Sequence, residues 1–210
     1  MIHVLVTGAK GQLATCLADV SQTFPSLNCS FTSREMLDIA HKEALQDYFK
    51  SNPVDYCINT AAYTQVDQAE KEIEKAFAIN KTAVGNLATV CLQHKVRLLH
   101  VSTDYVFDGT KTTPYSEGDT PNPINVYGRS KYEGEQRLAE ILPEHFIVRT
   151  SWLYSQYGQN FLTAMLRFAS EEKPLKITTE QLGAPTNAND LAKALLHIIS
   201  QQSDRFGVYH

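Results

Sequence analysis

Tyr127 and Lys131 stand four residues apart in Tyr127-Gly128-Arg129-Ser130-Lys131. On a helix that spacing puts both side chains on one face. An ammonium beside a phenol favours the phenolate, so the pair predicts a tyrosine drawn from about 10 towards the working pH. A phenol tuned in this way can protonate a carbonyl oxygen while a nicotinamide cofactor delivers hydride to the carbon. Alone the pair is a weak signal; its context carries it. Upstream lies Thr7-Gly8-Ala9-Lys10-Gly11-Gln12-Leu13-Ala14, where the apolar strand pattern Ile2–Val6 meets the helical pattern Gln12–Gln22. In that setting Gly8-x-x-Gly11-x-x-Ala14 is a dinucleotide-binding turn. Gly8 permits the tight turn, Gly11 admits pyrophosphate to the amides of the helix amino terminus, and small Ala14 keeps helix and strand close. Gln12 and Leu13, at that terminus, join the two glycines as candidate cofactor contacts.

The ends of the following strands supply the remaining candidates. After the strand Leu27–Thr32 comes Thr32-Ser33-Arg34-Glu35. A hydroxyl followed by a guanidinium suits a ribose 2′-phosphate, because arginine offers phosphate a fork of donors. NADPH is therefore expected, with Ser33, Arg34, Asp38 and Ile39 as contacts; Glu35 or Asp38 leaves NADH open through the 2′-hydroxyl. After the strand Val54–Ile58, small Ala61 and Ala62 let a cofactor pass close to the backbone. Tyr63 is a further cofactor candidate, and Thr64 points towards substrate. The strand Val96–Val101 runs into Ser102-Thr103-Asp104-Tyr105-Val106-Phe107-Asp108-Gly109. A hydroxyl at that strand end can bind a substrate oxygen poised beside the phenol. Thr103 is the choice, Ser102 the alternative, and Asp104 a neighbouring substrate contact.

Short apolar strands alternate with helical patterns: His41–Lys50, a long stretch over Glu70–His94, and the helix carrying Tyr127 and Lys131. Phe146–Val148 reads as a fifth strand. Such alternation predicts an α/β fold, a doubly wound parallel sheet covered on both faces, with ligands beyond the carboxyl ends of the strands. The Gly- and Pro-bearing stretch Asp108–Val126 is expected to be irregular.

At 210 residues the chain suits one substantial domain with room for a small appendage. A formal net charge of −4 without a basic block argues against nucleic acid and anionic membrane as partners. Cys16, Cys29, Cys57 and Cys91 lack metal or redox spacing and read as inert thiols in a reducing cytoplasm. The histidines show no ligand spacing; His3 and His100 are expected to be satisfied core or rim groups. The amino terminus is too short for a signal peptide, and no apolar run reaches a membrane span.

The glycine turn, Ser102–Gly109 and the Tyr-x-x-x-Lys pair resemble the extended short-chain dehydrogenase/reductases. Asn59–Glu70, Arg149–Tyr154, Gly158–Phe161 and Gln181–Thr186 narrow the resemblance to the dTDP-4-dehydrorhamnose reductase family, from Met1 to His210. The resemblance implies reduction of the C4 ketone of dTDP-4-dehydro-L-rhamnose, a dTDP-linked 4-keto-6-deoxy sugar, by NADPH or NADH, giving dTDP-L-rhamnose; a cytoplasmic monomer or homodimer is expected. By matching position, Tyr127 is the proton donor, Lys131 holds the nicotinamide ribose, and Thr103 completes a triad. Thr64 and Trp152 become sugar or nicotinamide-side contacts, and Asn80 takes a supporting role. No catalytic metal is expected. Members of the family continue for tens of residues past Gly207–His210, so the expected layout is a Rossmann domain of 1–152 with 183–210 and a partial substrate domain of 153–182. An epimerase or dehydratase of the same fold, or a non-catalytic NADP-binding subunit, are the alternatives. Tyr105, where dehydratases tend to carry an acid, disfavours elimination.

Overall fold

The computed structural model describes residues 1–171, 177 and 181–210. The first half alternates β1 (Ile2–Thr7), α1 (Gln12–Ser21), β2 (Leu27–Thr32), α2 (Lys42–Ser51) and β3 (Tyr56–Asn59), then short helices α3 (Val66–Ala69) and α4 (Ile73–Phe77). A π-helical turn, Ala78–Thr82, leads into α5 (Ala83–His94), β4 (Arg97–Thr103) and a 3-10 turn, Asp104–Val106. The second half holds α6 (Val126–Ile141), β5 (His145–Thr150), β6 (Leu153–Tyr154), α7 (Phe161–Ser170), β7 (Thr186–Asn187), α8 (Ala188–Ser200) and β8 (Gly207–Tyr209).

Six strands form one parallel sheet in the order β2-β1-β3-β4-β5-β8, so the direction of winding reverses between β1 and β3. Alternation along each strand feeds two cores. Val4, Val6, Ile58 and Leu99 face α1 and α8. Leu5, Cys57, Leu98 and Ile147 face α2, α5 and α6. Continuous apolar strands are what a sheet buried on both faces requires, and the doubly wound expectation holds.

The expected long helical stretch over Glu70–His94 is helical without a break from Ile73 to His94, but a π-helical turn, Ala78–Thr82, is set inside it. Asn80 is turned inward at the centre of the π-helical turn, where its amide bonds the backbone of Tyr63 and the Ser130 hydroxyl. The wider π-helical turn lies where that amide faces inward. Strand β4 extends past Val101 because Ser102 and Thr103 pair with Arg149 and Thr150 of β5. Helices α7 and α8 and strand β8 go beyond the expected elements. The apolar stripe Leu191, Leu195, Leu196 and Ile199 on α8 is buried against α1, at the spacing of a one-faced helix. Residues 107–125 contain no helix or strand, as expected. They are tied by their own side chains: Asp108 accepts from Thr110, Tyr115 and Asn122. Part of the expected substrate portion, residues 172–176 and 178–180, lies outside the described residues.

Candidate active site

The carboxyl ends of β1, β2, β3, β4 and β5 open onto one cleft of about 740 Å³. Gly8, at φ +79°, makes the turn after β1. A side chain there would stand 2.9 Å from both the Ala61 amide nitrogen and the Thr60 hydroxyl, so only glycine keeps this wall open. Gly11, Gln12 and Leu13 line the cleft at the start of α1, beside Ala61 and Ala62 from the β3 end. Gln12 is held from above, its Oε1 accepting from Asn160 Nδ2 at 2.9 Å. Asn160 also caps α7, so the segment bearing Gly158 and Gln159 is anchored over the glycine turn and lines the same cleft.

Arg34, Asp38 and Ile39 line the β2 end. Arg34 Nε donates to Asp38 at 2.9 Å, and Lys10 pairs with Glu35 at 2.8 Å. Lys10 and then Ser33, each hydrogen-bonded to Glu35, hold that carboxyl down to about 2. Two cations thus stand at the mouth rather than the single arginine expected, and Lys10 lay in plain view inside the glycine turn.

At the other end, Tyr127, Lys131, Thr103, Ser102, Asp104, Thr64 and Trp152 all face the cleft. Asn125 caps α6 by accepting from the Gly128 amide at 2.7 Å, and Tyr127 lies in the first turn of that helix. The close passage of Gly128 over the Tyr105 carbonyl sets α6 tightly on the β4 end. Thr103 Oγ1 donates to Asp104 and accepts from the Tyr105 amide. Trp152 is 42% exposed and adopts φ +44°, a left-handed backbone that a bulky residue seldom takes, with Gly183 against its indole.

The expected lowering of the phenol is not what the surrounding protein produces. Burial pushes Tyr127 up to about 12, the Thr103 hydrogen bond working against that rise and Asp104 and Tyr105 adding to it. Lys131 is itself buried, and the loss of hydration draws it down to about 8, with Glu135 opposing. Its Nζ donates to Val101 O at 2.8 Å and lies 3.3 Å from His100 Nε2. The i, i+4 spacing brings the two groups to one cleft, but burial, not the lysine, sets the direction in which the phenol shifts.

Three candidates do not line the cleft. Ser33 bonds Glu35 behind it. Tyr63 and Asn80 brace each other: Asn80 Oδ1 accepts from the Tyr63 amide, while Nδ2 donates to Tyr63 O and to Ser130 Oγ, which donates to Tyr127 O. Asn80 therefore steadies the turn that carries Tyr127. Thr150 and Ser102 have buried hydroxyls without a partner, both at the cleft. Thr150 was missed because a threonine ending a strand has no spacing signature. Buried orphan hydroxyls are rare; with the open Gly8 wall they fit a bound group that brings polar atoms to this wall. Among the described residues no three His, Cys, Asp or Glu side chains gather in a metal-sized group.

Residues 2–210 match the family model described as RmlD substrate binding domain. The chain is 41% identical to a dTDP-4-dehydrorhamnose reductase of Sinorhizobium fredii, over 100% of this chain and 72% of the relative. It is 40% identical to one of Aggregatibacter actinomycetemcomitans, over 100% and 73%. The solved dTDP-4-dehydrorhamnose reductase of Bacillus anthracis, in complex with NADP, superposes with a TM-score of 0.95 at 37% identity, covering 100% of this chain and 74% of that one. With a parallel sheet, a glycine turn and a tyrosine–lysine helix at one cleft, and these likenesses over its whole length, this chain belongs to the dTDP-4-dehydrorhamnose reductase family.

Proposed function

We propose that the chain reduces the C4 ketone of dTDP-4-dehydro-L-rhamnose to give dTDP-L-rhamnose, with NADPH preferred and NADH accepted. The observation that carries this reading is the convergence of Tyr127, Lys131 and Thr103 on the cleft whose far wall is Gly8 and Gly11. Gly8, Gly11, Gln12 and Leu13 would hold the pyrophosphate, Ala61 and Ala62 the passage beside β3, and Arg34 with Lys10 the 2′-phosphate. When bound, the dinucleotide supplies the hydride. Tyr127 Oη gives its proton to the carbonyl oxygen. A phenol held near 12 keeps that proton at neutral pH until negative charge develops on the oxygen it faces. Thr103 orients the same oxygen, Lys131 holds the ribose, and Ser102, Asp104, Thr64 and Trp152 contact the sugar. Leu153, Gly158 and Gln159 bring the described part of the substrate portion to the cleft, and the working form is a cytoplasmic monomer or homodimer. Among the described residues no helix is long and apolar enough to cross a membrane.

Mixing the protein, NADPH and the dTDP-4-keto sugar and following NADPH absorbance tests the reading. Tyr127→Phe should lose about 10²- to 10⁴-fold in turnover, the usual worth of a positioned acid, with NADPH affinity nearly unchanged. Turnover equal to wild type in Tyr127→Phe would falsify the assignment of the acid.

A further inference from the structure

His100 is wholly buried on β4, on the side that faces α6, and lies in a directed chain of hydrogen bonds. Asn59 Oδ1 accepts from Thr7 Oγ1 at 2.7 Å and from the Ala61 backbone amide at 3.2 Å. A backbone amide can only donate, so that atom of Asn59 is its oxygen and the other is its NH₂ group. Asn59 Nδ2 therefore donates to His100 Nδ1, 3.0 Å away. A neutral imidazole that accepts at Nδ1 carries its hydrogen on Nε2. The group 3.3 Å beyond Nε2 is Lys131 Nζ.

We propose that His100 is a positioning residue for Lys131: locked by Asn59 with its hydrogen on Nε2, it donates to the lysine amine and disfavours the ammonium. An uncharged amine accepts from Nε2–H and still donates to Val101 O. An ammonium has only donors. Its arrival either sets two donors against each other or drives the imidazole hydrogen to Nδ1, where it meets the Asn59 amide. Either way one buried hydrogen bond is lost. The titratable groups around this pair are Tyr127 and Glu135 on α6, Glu135 being held by Arg149 of β5, together with His145 of β5 and Asp104 after β4. The buried imidazole does not take up the charge instead: burial first, then Lys131 and His145, hold His100 well below its ordinary value. This bond acts in the same direction as burial, which draws Lys131 down towards the working pH.

The value of this arrangement to catalysis rests on the role given to Lys131 above, but its test needs neither cofactor nor sugar, so the two can fail separately. Long-range proton–nitrogen NMR of the histidines, taken at a pH above the Lys131 titration where its amine is uncharged, should show His100 neutral with hydrogen on Nε2; hydrogen on Nδ1 there, or a cationic ring, overturns the proposal. Carbon-13 NMR of the Lys131 Cε should show it titrating near 8 in wild type, and upward by a full unit or more in His100→Leu. Burial alone predicts no shift or a downward one, and either result refutes it. Where His100→Leu does not fold, the isosteric Asn59→Asp hands Nδ1 an acceptor. It should then move the hydrogen to Nδ1 and raise Lys131, and an unmoved hydrogen also refutes the proposal.

Discussion

Arg34 shows how far a residue's type carries an argument and where its surroundings take over. A strand-end arginine suits a 2′-phosphate by the geometry of its donors. In the folded chain it already holds Asp38, and Lys10 beside it holds Glu35. Both cations are exposed, so these pairs are weak and open to exchange for phosphate. Arg34→Ala should weaken NADPH binding by roughly 10-fold or more, the worth of a charge-assisted hydrogen bond, while NADH binding changes little. Calorimetry with each dinucleotide decides this, and an equal loss for both would remove Arg34 from 2′-phosphate recognition. Tyr127 and Lys131 teach the complementary lesson. Their spacing was legible and brings them to the same cleft, but the direction in which each titrates was not, because burial belongs to the packed molecule and not to a sequence interval.

Among the elements, α6 does most to shape the site, and it is fastened at both ends. Its amino-terminal half is steadied by the Asn80 clamp, which joins the π-helical turn to Tyr63 and, through Ser130, to the Tyr127 carbonyl. Its second half is fastened to β5 by the buried fork between Glu135 and Arg149, whose guanidinium also lies over the Phe107 ring. Asn80→Ala leaves the Tyr63 amide and carbonyl unpaired in the interior and should destabilise the fold by about 2–4 kcal/mol in urea unfolding, taking one or two buried groups at the usual cost. A change below half a kcal/mol would mean that the clamp is dispensable. Glu135→Ala strands a buried guanidinium and should cost about 3–5 kcal/mol by the same measurement; a variant as stable as wild type would show that Arg149 finds another partner. The strands were legible because apolar β-branched runs end abruptly at polar residues. The π-helical turn inside the expected long helix was not, since Asn80 at its centre reaches partners 17 and 50 residues away.

Across the whole molecule, the buried Lys131 couples the site to stability. Its value falls on folding from the ordinary 10.5 to about 8. Below about 8 both states hold the proton and the full penalty for burying it is present. Between about 8 and 10 the native state has released the proton while the unfolded chain still holds it, so the penalty is lifted as pH rises. The stability of wild type minus that of Lys131→Met should therefore climb with pH through this window, measured by urea unfolding at a series of pH values. Taking the difference removes the opposing contribution of Tyr127, whose raised value acts from about pH 10 upward. A flat difference would mean that Lys131 keeps its proton when buried.

Local order along the chain determined much of this protein: a glycine turn between strand and helix, hydroxyl-rich strand ends, and a tyrosine and lysine one helical turn apart. These depend on neighbours in sequence, through backbone sterics and helical or strand periodicity. Only the tertiary structure decided which groups lose water and which distant partners they meet. It folded Asn80 inward, carried the Gly158–Asn160 segment over the glycine turn, and placed His100 against Lys131. Hydration and pairing at a buried atom are set by every element packed around it, and no interval in the sequence records that sum.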